Sequence, residues 1–130
     1  MADKKAIHHP DADLNRDRPF VSAIECDGWL YVSGQGPVDF ATGKAVVGTI
    51  EEETELTLQH IDKILKAAGC TADDVVKCTC HISDYKYFEG FNNAYKKYFT
   101  GIRPARTTVQ SVLWSNIKVE IDCIARIPRK

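Results

Sequence analysis

Apolar residues recur at two different periods along this chain, and the changes of period divide it into elements. Ile50, Thr54, Leu58, Ile61, Ile64, Leu65 and Ala68 fall at the spacing of one face of an α-helix. Thr49 with Glu52 three residues later predicts a capping box at its start. Glu51, Glu52 and Glu53 suit the positive end of the helix dipole, and Gly69 predicts the stop. A second helical stripe, Phe88, Phe91, Tyr95 and Phe99, follows Asp84 as a cap and ends before Gly101 and Pro104. Elsewhere the period is two. From Val75 to Ile82, the residues Val76, Cys78, Cys80 and Ile82 share one side and Lys77, Thr79 and His81 the other. From Lys118 to Ile127, Val119, Ile121, Cys123, Ala125 and Ile127 oppose Glu120, Asp122 and Arg126.

Shorter strand-like runs lie at Phe20 to Cys26, Trp29 to Ser33, Ala45 to Val47 and Thr107 to Val112. Asp27-Gly28 is a hairpin signal between the first two. Further turns are predicted at Gly34-Gln35-Gly36-Pro37, at Ala41-Thr42-Gly43-Lys44 and at Trp114-Ser115-Asn116. The order is β-β-(β)-α-β-α-β-β, an α+β layout in which two helices cover one face of a mixed sheet. The other face, with Tyr31, Val109 and Ile124 among polar residues, must then meet solvent or another subunit. A half-apolar open face of that kind predicts an oligomer. Residues 1–18 carry charge without periodicity and read as an N-terminal arm, leaving 19–130 as a single domain.

Composition narrows the classes of function. At 130 residues and a net charge of −1, the chain suits one domain and has no global field that would gather nucleic acid. No apolar run approaches the roughly 20 residues of a membrane span. Met1 to Lys5 opens into polar sequence with no apolar export segment, so a cytoplasmic location is expected. The five cysteines are odd in number, and the alternation places Cys78 and Cys80 among apolar neighbours, away from His81. Without a second Cys/His pair at zinc spacing, no metal is expected. His8-His9 reads as part of a leader that frays. There is no dinucleotide fingerprint, no Walker sequence and no nucleophile elbow.

The candidate chemistry lies near the C-terminus. In Arg103-Pro104-Ala105-Arg106-Thr107-Thr108-Val109, Arg106 stands at the mouth of one strand, and Glu120 sits on the polar side of the next. A guanidinium presents a planar fork of donors that matches a carboxylate. A glutamate beside a bound water can accept its proton. The same pair is equally what a solvated cross-strand ion pair looks like.

Several segments together resemble the RidA family, also called YjgF or endoribonuclease L-PSP. They are Tyr31-Val32-Ser33-Gly34-Gln35-Gly36-Pro37, the Gly43 turn, Glu55 to Gly69, and Asp74-Val75-Val76-Lys77-Cys78-Thr79. Next come Phe88-x-x-x-Asn92-x-x-Tyr95-x-x-Tyr98-Phe99, Arg103-Pro104-Ala105-Arg106-Thr107, and Val119-Glu120-Ile121-Asp122-Cys123-Ile124-Ala125. The resemblance implies a chorismate-mutase-like α+β fold, a homotrimer with clefts between subunits, and hydrolysis of reactive enamines and imines such as 2-aminoacrylate. The products are 2-keto acids and ammonia, and no metal or organic cofactor is needed. By the same resemblance, Arg106 binds the substrate carboxylate and Glu120 activates water. Phe20, Ser33, Gly34, Thr107 and Thr108 line the cleft, with Asn92 and nearby Phe88 contributed by a neighbouring subunit.

Two positions depart from the family pattern. Phe20 stands where a tyrosine is common, which keeps an aromatic wall and removes a hydroxyl. Thr108 stands where a cysteine is frequent. Both changes leave room for a different substrate, such as the longer enamine diacid 2-aminomuconate. Two other readings remain open: a non-catalytic small-molecule-binding module, and a ribonuclease, against which the near-neutral charge argues. Asn92 also fits a solvated helix surface, Trp114 a turn or rim, and Tyr95 and Phe99 the core.

Overall fold

The structure, a computed structural model, describes residues 3–128. In chain order its elements are β1 (Lys5–Ile7), β2 (Ala23–Cys26), β3 (Trp29–Gln35), β4 (Val38–Asp39), β5 (Lys44–Ala45) and α1 (Ile50–Ala67). Then follow β6 (Val75–Ile82), α2 (Phe88–Tyr98), β7 (Ala105–Gln110) and β8 (Val119–Arg126). Six strands form one sheet in the order β1-β2-β3-β8-β6-β7, and β4 and β5 make a separate small hairpin. Within the sheet only β6 and β7 run parallel, as expected for two strands joined by a helix.

Local chemistry explains the elements. Asp27 and Gly28 adopt φ of 55° and 82°, the left-handed pair that a two-residue hairpin needs, and set Cys26 opposite Trp29. Thr49 accepts from the Glu52 amide at 3.1 Å while Glu52 accepts from the Thr49 amide at 2.9 Å, completing the capping box of α1. The apolar face of α1 packs with α2 onto β3, β6 and β8, enclosing Leu30, Ile61, Ile64, Ile82, Phe91 and Ile121. Alternate residues of β8 divide cleanly: Val119, Ile121, Cys123 and Ala125 are buried towards the helices, and Glu120, Asp122, Ile124 and Arg126 face the opposite, open side. The predicted α+β layout, a mixed sheet with two helices on one face, is therefore observed. The strand predicted at Ala45 to Val47 is instead Lys44–Ala45, in the separate β4–β5 hairpin.

Three further expectations change. First, β7 and β8 are consecutive in the chain but not in the sheet, because β6 pairs with both and lies between them. Second, Val76 does not share the inner face with Cys78. The register shifts between Val75 and Lys77, so Val75 takes the core position and Val76 is expelled to the surface at a bulge. Third, the leader does not fray. β1 adds an edge strand against β2, and His9 is only 1% exposed. Its ring stacks on Phe40 at 3.8 Å, its Nδ1 accepts from the Asp11 amide at 3.0 Å, and its Nε2 lies 3.0 Å from His60 Nδ1. An imidazole tolerates burial when both nitrogens are satisfied, as here. Among the described residues, no helix is long and apolar enough to cross a membrane.

Candidate active site

Glu120 stands on the open face of β8, directly across from His81 of β6. On its other flank, β3 bulges between Val32 and Gln35, which brings Gly34 beneath the carboxylate. A Cβ on Gly34 would lie 3.1 Å from Glu120 Oε2 and 3.2 Å from its Cδ. The missing side chain is what lets the glutamate lie across the strand. Ser33 holds the entering segment: its amide donates to Ser22 O at 2.9 Å and its hydroxyl to Val21 O at 2.7 Å. The hydroxyl proton is thus committed, and the oxygen retains capacity only as an acceptor.

Phe20, Ser33, Gly34 and Glu120 line one cavity of about 760 Å³. Gln35, Phe40 and Trp114 share its walls, and Arg16, Asp17 and Arg18 reach it from the arm. The start of β8 is pinned from below by Glu53 of α1. Its fully buried carboxylate accepts from the Lys118 amide at 2.7 Å, Lys118 Nζ at 2.9 Å and the Gly48 amide at 3.2 Å. That clamp sits two residues before Glu120 and sets where the strand begins.

Arg106 belongs to a different region. It pairs with Cys78 across β6 and β7, so its side chain shares the helix face. The guanidinium lies over the rings of Tyr95, Phe91 and Phe88 of α2, at 4.9, 5.3 and 5.8 Å from their centroids. Stacking of this kind orients a cation without neutralising it. Among the described residues, no carboxylate pairs with it. In the same region, Asn92 Oδ1 and Thr108 Oγ1 are buried with no hydrogen-bond partner. The Tyr95 hydroxyl, also buried, lies near the Cys78 thiol without a well-formed hydrogen bond.

Eight of the nine candidate residues therefore fall into two groups on opposite faces of the sheet. Phe20, Ser33, Gly34 and Glu120 gather at the open-face cavity, whereas Phe88, Asn92, Arg106 and Thr108 gather where α2 meets β7. Thr107 points to the open side like Glu120, but it is two strands away and accepts a hydrogen bond from Lys77 Nζ at 2.9 Å. The grouping of Arg106 with Glu120 expected from the chain order is corrected: within one chain, Arg106 accompanies Asn92 and Phe88.

Burial shapes the surrounding titrations. It raises the Asp122 carboxyl, an effect that His81 and Lys77 oppose. It pushes the Cys80 thiol up to about 12 and the Cys70 thiol up to about 11, so these sulfurs serve as small core residues. The residues that periodicity did not single out are Arg16, Arg18 and Phe40, because the arm has no repeating pattern and Phe40 follows a two-residue strand. Trp114, read as a rim residue, does lie on the cavity wall.

The family model described as Endoribonuclease L-PSP matches residues 11–127. A mouse 2-iminobutanoate/2-iminopropanoate deaminase is 40% identical over 108 residues, which cover 82% of this chain and 80% of that protein. Among solved structures, a Rid-family protein of unknown function from Yersinia pestis is 38% identical, with a TM-score of 0.89 over 96% of this chain and all of that one. Escherichia coli TdcF, solved with bound serine, is 30% identical with a TM-score of 0.84, covering 94% of this chain and 98% of that one.

Proposed function

Because the chain belongs to the endoribonuclease L-PSP family, which includes imine deaminases, we propose that it hydrolyses reactive enamines and imines of 2-aminoacrylate type. The products are a 2-keto acid and ammonia. The observation that carries this reading is Arg106, a half-buried guanidinium stacked on three aromatic rings and paired with no carboxylate among the described residues. A cation held in that way is completed by a carboxylate in two-point contact, at roughly 1.5–3 kcal/mol per charge-assisted hydrogen bond. The open acceptors of Asn92 and Thr108 beside it suit the amine or imine nitrogen of the same small molecule.

The chemistry asks little more of the protein. The enamine tautomerises to an imine, whose carbon becomes electrophilic once the nitrogen is protonated. Water adds to that carbon, and the carbinolamine collapses with loss of ammonia. Glu120 takes the proton from the attacking water and returns it to the departing nitrogen. A positioned general base of this kind contributes about 10²–10⁴-fold. The reaction also proceeds in water, so orientation by Arg106 and one proton relay suffice, and no cofactor enters.

Since Arg106 and Glu120 project from opposite faces of one sheet, a working site takes them from different copies. The half-apolar open face, with Tyr31 paired against Ile124 and Val109 exposed, supports association into a homotrimer whose clefts lie between subunits. The bound serine of TdcF, an amino acid with a carboxylate, is consistent with the substrate class.

The direct test is release of keto acid and ammonia from enzymatically generated 2-aminoacrylate, comparing the wild type with Arg106→Ala. Acceleration by the wild type that disappears in the variant supports the reading. Equal rates with and without the protein would overturn it.

A further inference from the structure

Two arginines among the described residues lie over aromatic rings, and they differ in what their donors do. Arg126 stacks on Trp29 at 4.9 Å, and its Nη1 donates to Asp27 O at 3.0 Å, which ties it to the β2–β3 turn. Arg103, which stacks on no ring, likewise donates through Nε to Phe99 O at 2.9 Å. Arg106 lies 4.9 Å from the centroid of Tyr95, yet among the described residues it takes part in no ion pair and no hydrogen bond. Stacking is what holds its guanidinium, and the fork of N–H groups is left uncommitted.

The ring beneath it is held on both sides. Tyr95 is 3% exposed and sits in a column of rings at helical spacing, 5.6 Å from Phe91 and 4.8 Å from Phe99. A ring packed in that way has little room to tilt. Phe88, in the first turn of α2, is exposed and is the farthest of the three rings from the guanidinium. Burial, and next the contact with the Cys78 thiol, push the Tyr95 phenol up, so the ring stays neutral and attracts the cation through its face. Cys78 is also the residue paired with Arg106 across β6 and β7. Strand pairing therefore sets where the backbone of the arginine stands, and the Tyr95 ring, in contact with the same cysteine, sets where its side chain lies.

The geometry points to Tyr95 as a positioning residue for Arg106, whose ring face holds the guanidinium ready to receive a carboxylate. This gives the aromatic stripe of α2 a use beyond filling the core. It deepens the proposed function and rests on the assignment of Arg106 to the substrate carboxylate. One chain suffices for it, because Arg106, Tyr95 and Cys78 belong to the same copy. The Tyr95 hydroxyl has no part in the role: it is buried and makes no well-formed hydrogen bond. A long side chain that is oriented beforehand loses less freedom when it binds.

The test changes the charge on the ring face while keeping the shape of the ring. Calorimetric titration of the full chain with 2-oxobutanoate, a stable keto acid, gives the affinity for a carboxylate. The Nε–H proton resonance of Arg106, identified by its loss in Arg106→Lys, reports the stack, because a proton over a ring face is shifted upfield. Tyr95→Phe is expected to match the wild type in both readouts. Pentafluorophenylalanine in place of Tyr95 has nearly the same outline and a face of opposite polarity. It is expected to weaken binding roughly three- to tenfold and to move the Nε–H signal downfield, as is Tyr95→Leu. Leu30→Ala removes buried volume from β3, separated from β7 by β8 and β6, and is expected to lower the melting temperature without moving either readout. An affinity unmoved by fluorination, or a Tyr95→Phe variant as weak as Tyr95→Leu, would overturn the inference. If the wild type binds 2-oxobutanoate and hydrolyses 2-aminoacrylate while every Tyr95 variant binds equally well, only this inference fails. If the wild type neither binds nor hydrolyses, the proposed function fails and this inference with it.

Discussion

Arg106 and Glu120 lie on opposite faces of the same six-stranded sheet, Arg106 under the aromatic rings of α2 and Glu120 over Gly34 on the open side. The separation follows from pairing alone. Arg106 is level with Cys78 and, through it, with Cys123, both pointing to the helices. Glu120 is level with His81, which points away from them. Period-two alternation makes the consequence unavoidable: a shift by an odd number of residues changes the face. Each chain thus presents half of the chemistry on either side, and the proposed function requires a second copy to bring the halves together.

The clamp beneath Glu120 sets a first expectation. Glu53 is a buried carboxylate with three donors, and removing it leaves the Lys118 ammonium and two amides without an acceptor. Breaking a buried pair from one side costs roughly 3–5 kcal/mol. Chemical denaturation of Glu53→Ala is expected to show a loss of that order. A loss no larger than that of a surface substitution such as Glu55→Ala would contradict it.

Gly34 sets a second. A methyl group there meets Glu120 Oε2 at 3.1 Å, so the carboxylate must move by a few tenths of an ångström. Gly34→Ala is expected to keep its fold and melting temperature near those of the wild type, while kcat for 2-aminoacrylate falls on the order of tenfold, since catalysis is sensitive to small misplacements. An unchanged kcat would mean that the position of Glu120 does not matter.

Acid should loosen the arm. Burial, and next the neighbouring His60, lower the His9 imidazole from 6.5 to about 4, and burial also lowers His60. A histidine whose folded value lies below its unfolded one is held neutral, so the unfolded chain binds more protons as pH falls. The stability contributed by the pair is complete above about pH 6.5 and is lost progressively down to about pH 4, on the order of 3 kcal/mol from His9 alone. Asp11 and Asp39 face the pair and favour its protonation, whereas Lys63 opposes it. His9→Phe preserves the stack on Phe40 and removes the titration. Its melting temperature is expected to fall less steeply than that of the wild type between pH 6.5 and pH 4. Parallel slopes would count against the assignment.

The elements with strong periodicity were legible in the residues. The capping box at Thr49 and Glu52, the Asp27-Gly28 turn and the limits of β6 all stand where the pattern places them. What escaped the pattern depends on partners distant in sequence. The exposure of Val76 comes from a bulge against β8, which no local alternation announces. Glu53 looks like a dipole residue among three glutamates, and only Lys118, 65 residues later, makes it a buried anchor. His9 appears as a leader residue because its support comes from Phe40 and His60. Likewise Arg106 and Glu120 stand out as chemistry-bearing residues, but their separation depends on β6 entering between strands that are consecutive in the chain.

Subunit mixing tests the central claim most directly. Arg106→Ala and Glu120→Gln chains are each expected to be inactive alone, while a complex co-expressed from equal amounts of both contains interfaces with an intact arginine from one chain and an intact glutamate from the other. Random assembly of a ring places that combination at roughly a quarter of the interfaces. Recovery of about a quarter of the wild-type rate for 2-aminoacrylate is therefore predicted. A mixed complex as inactive as either parent would contradict a site shared between copies.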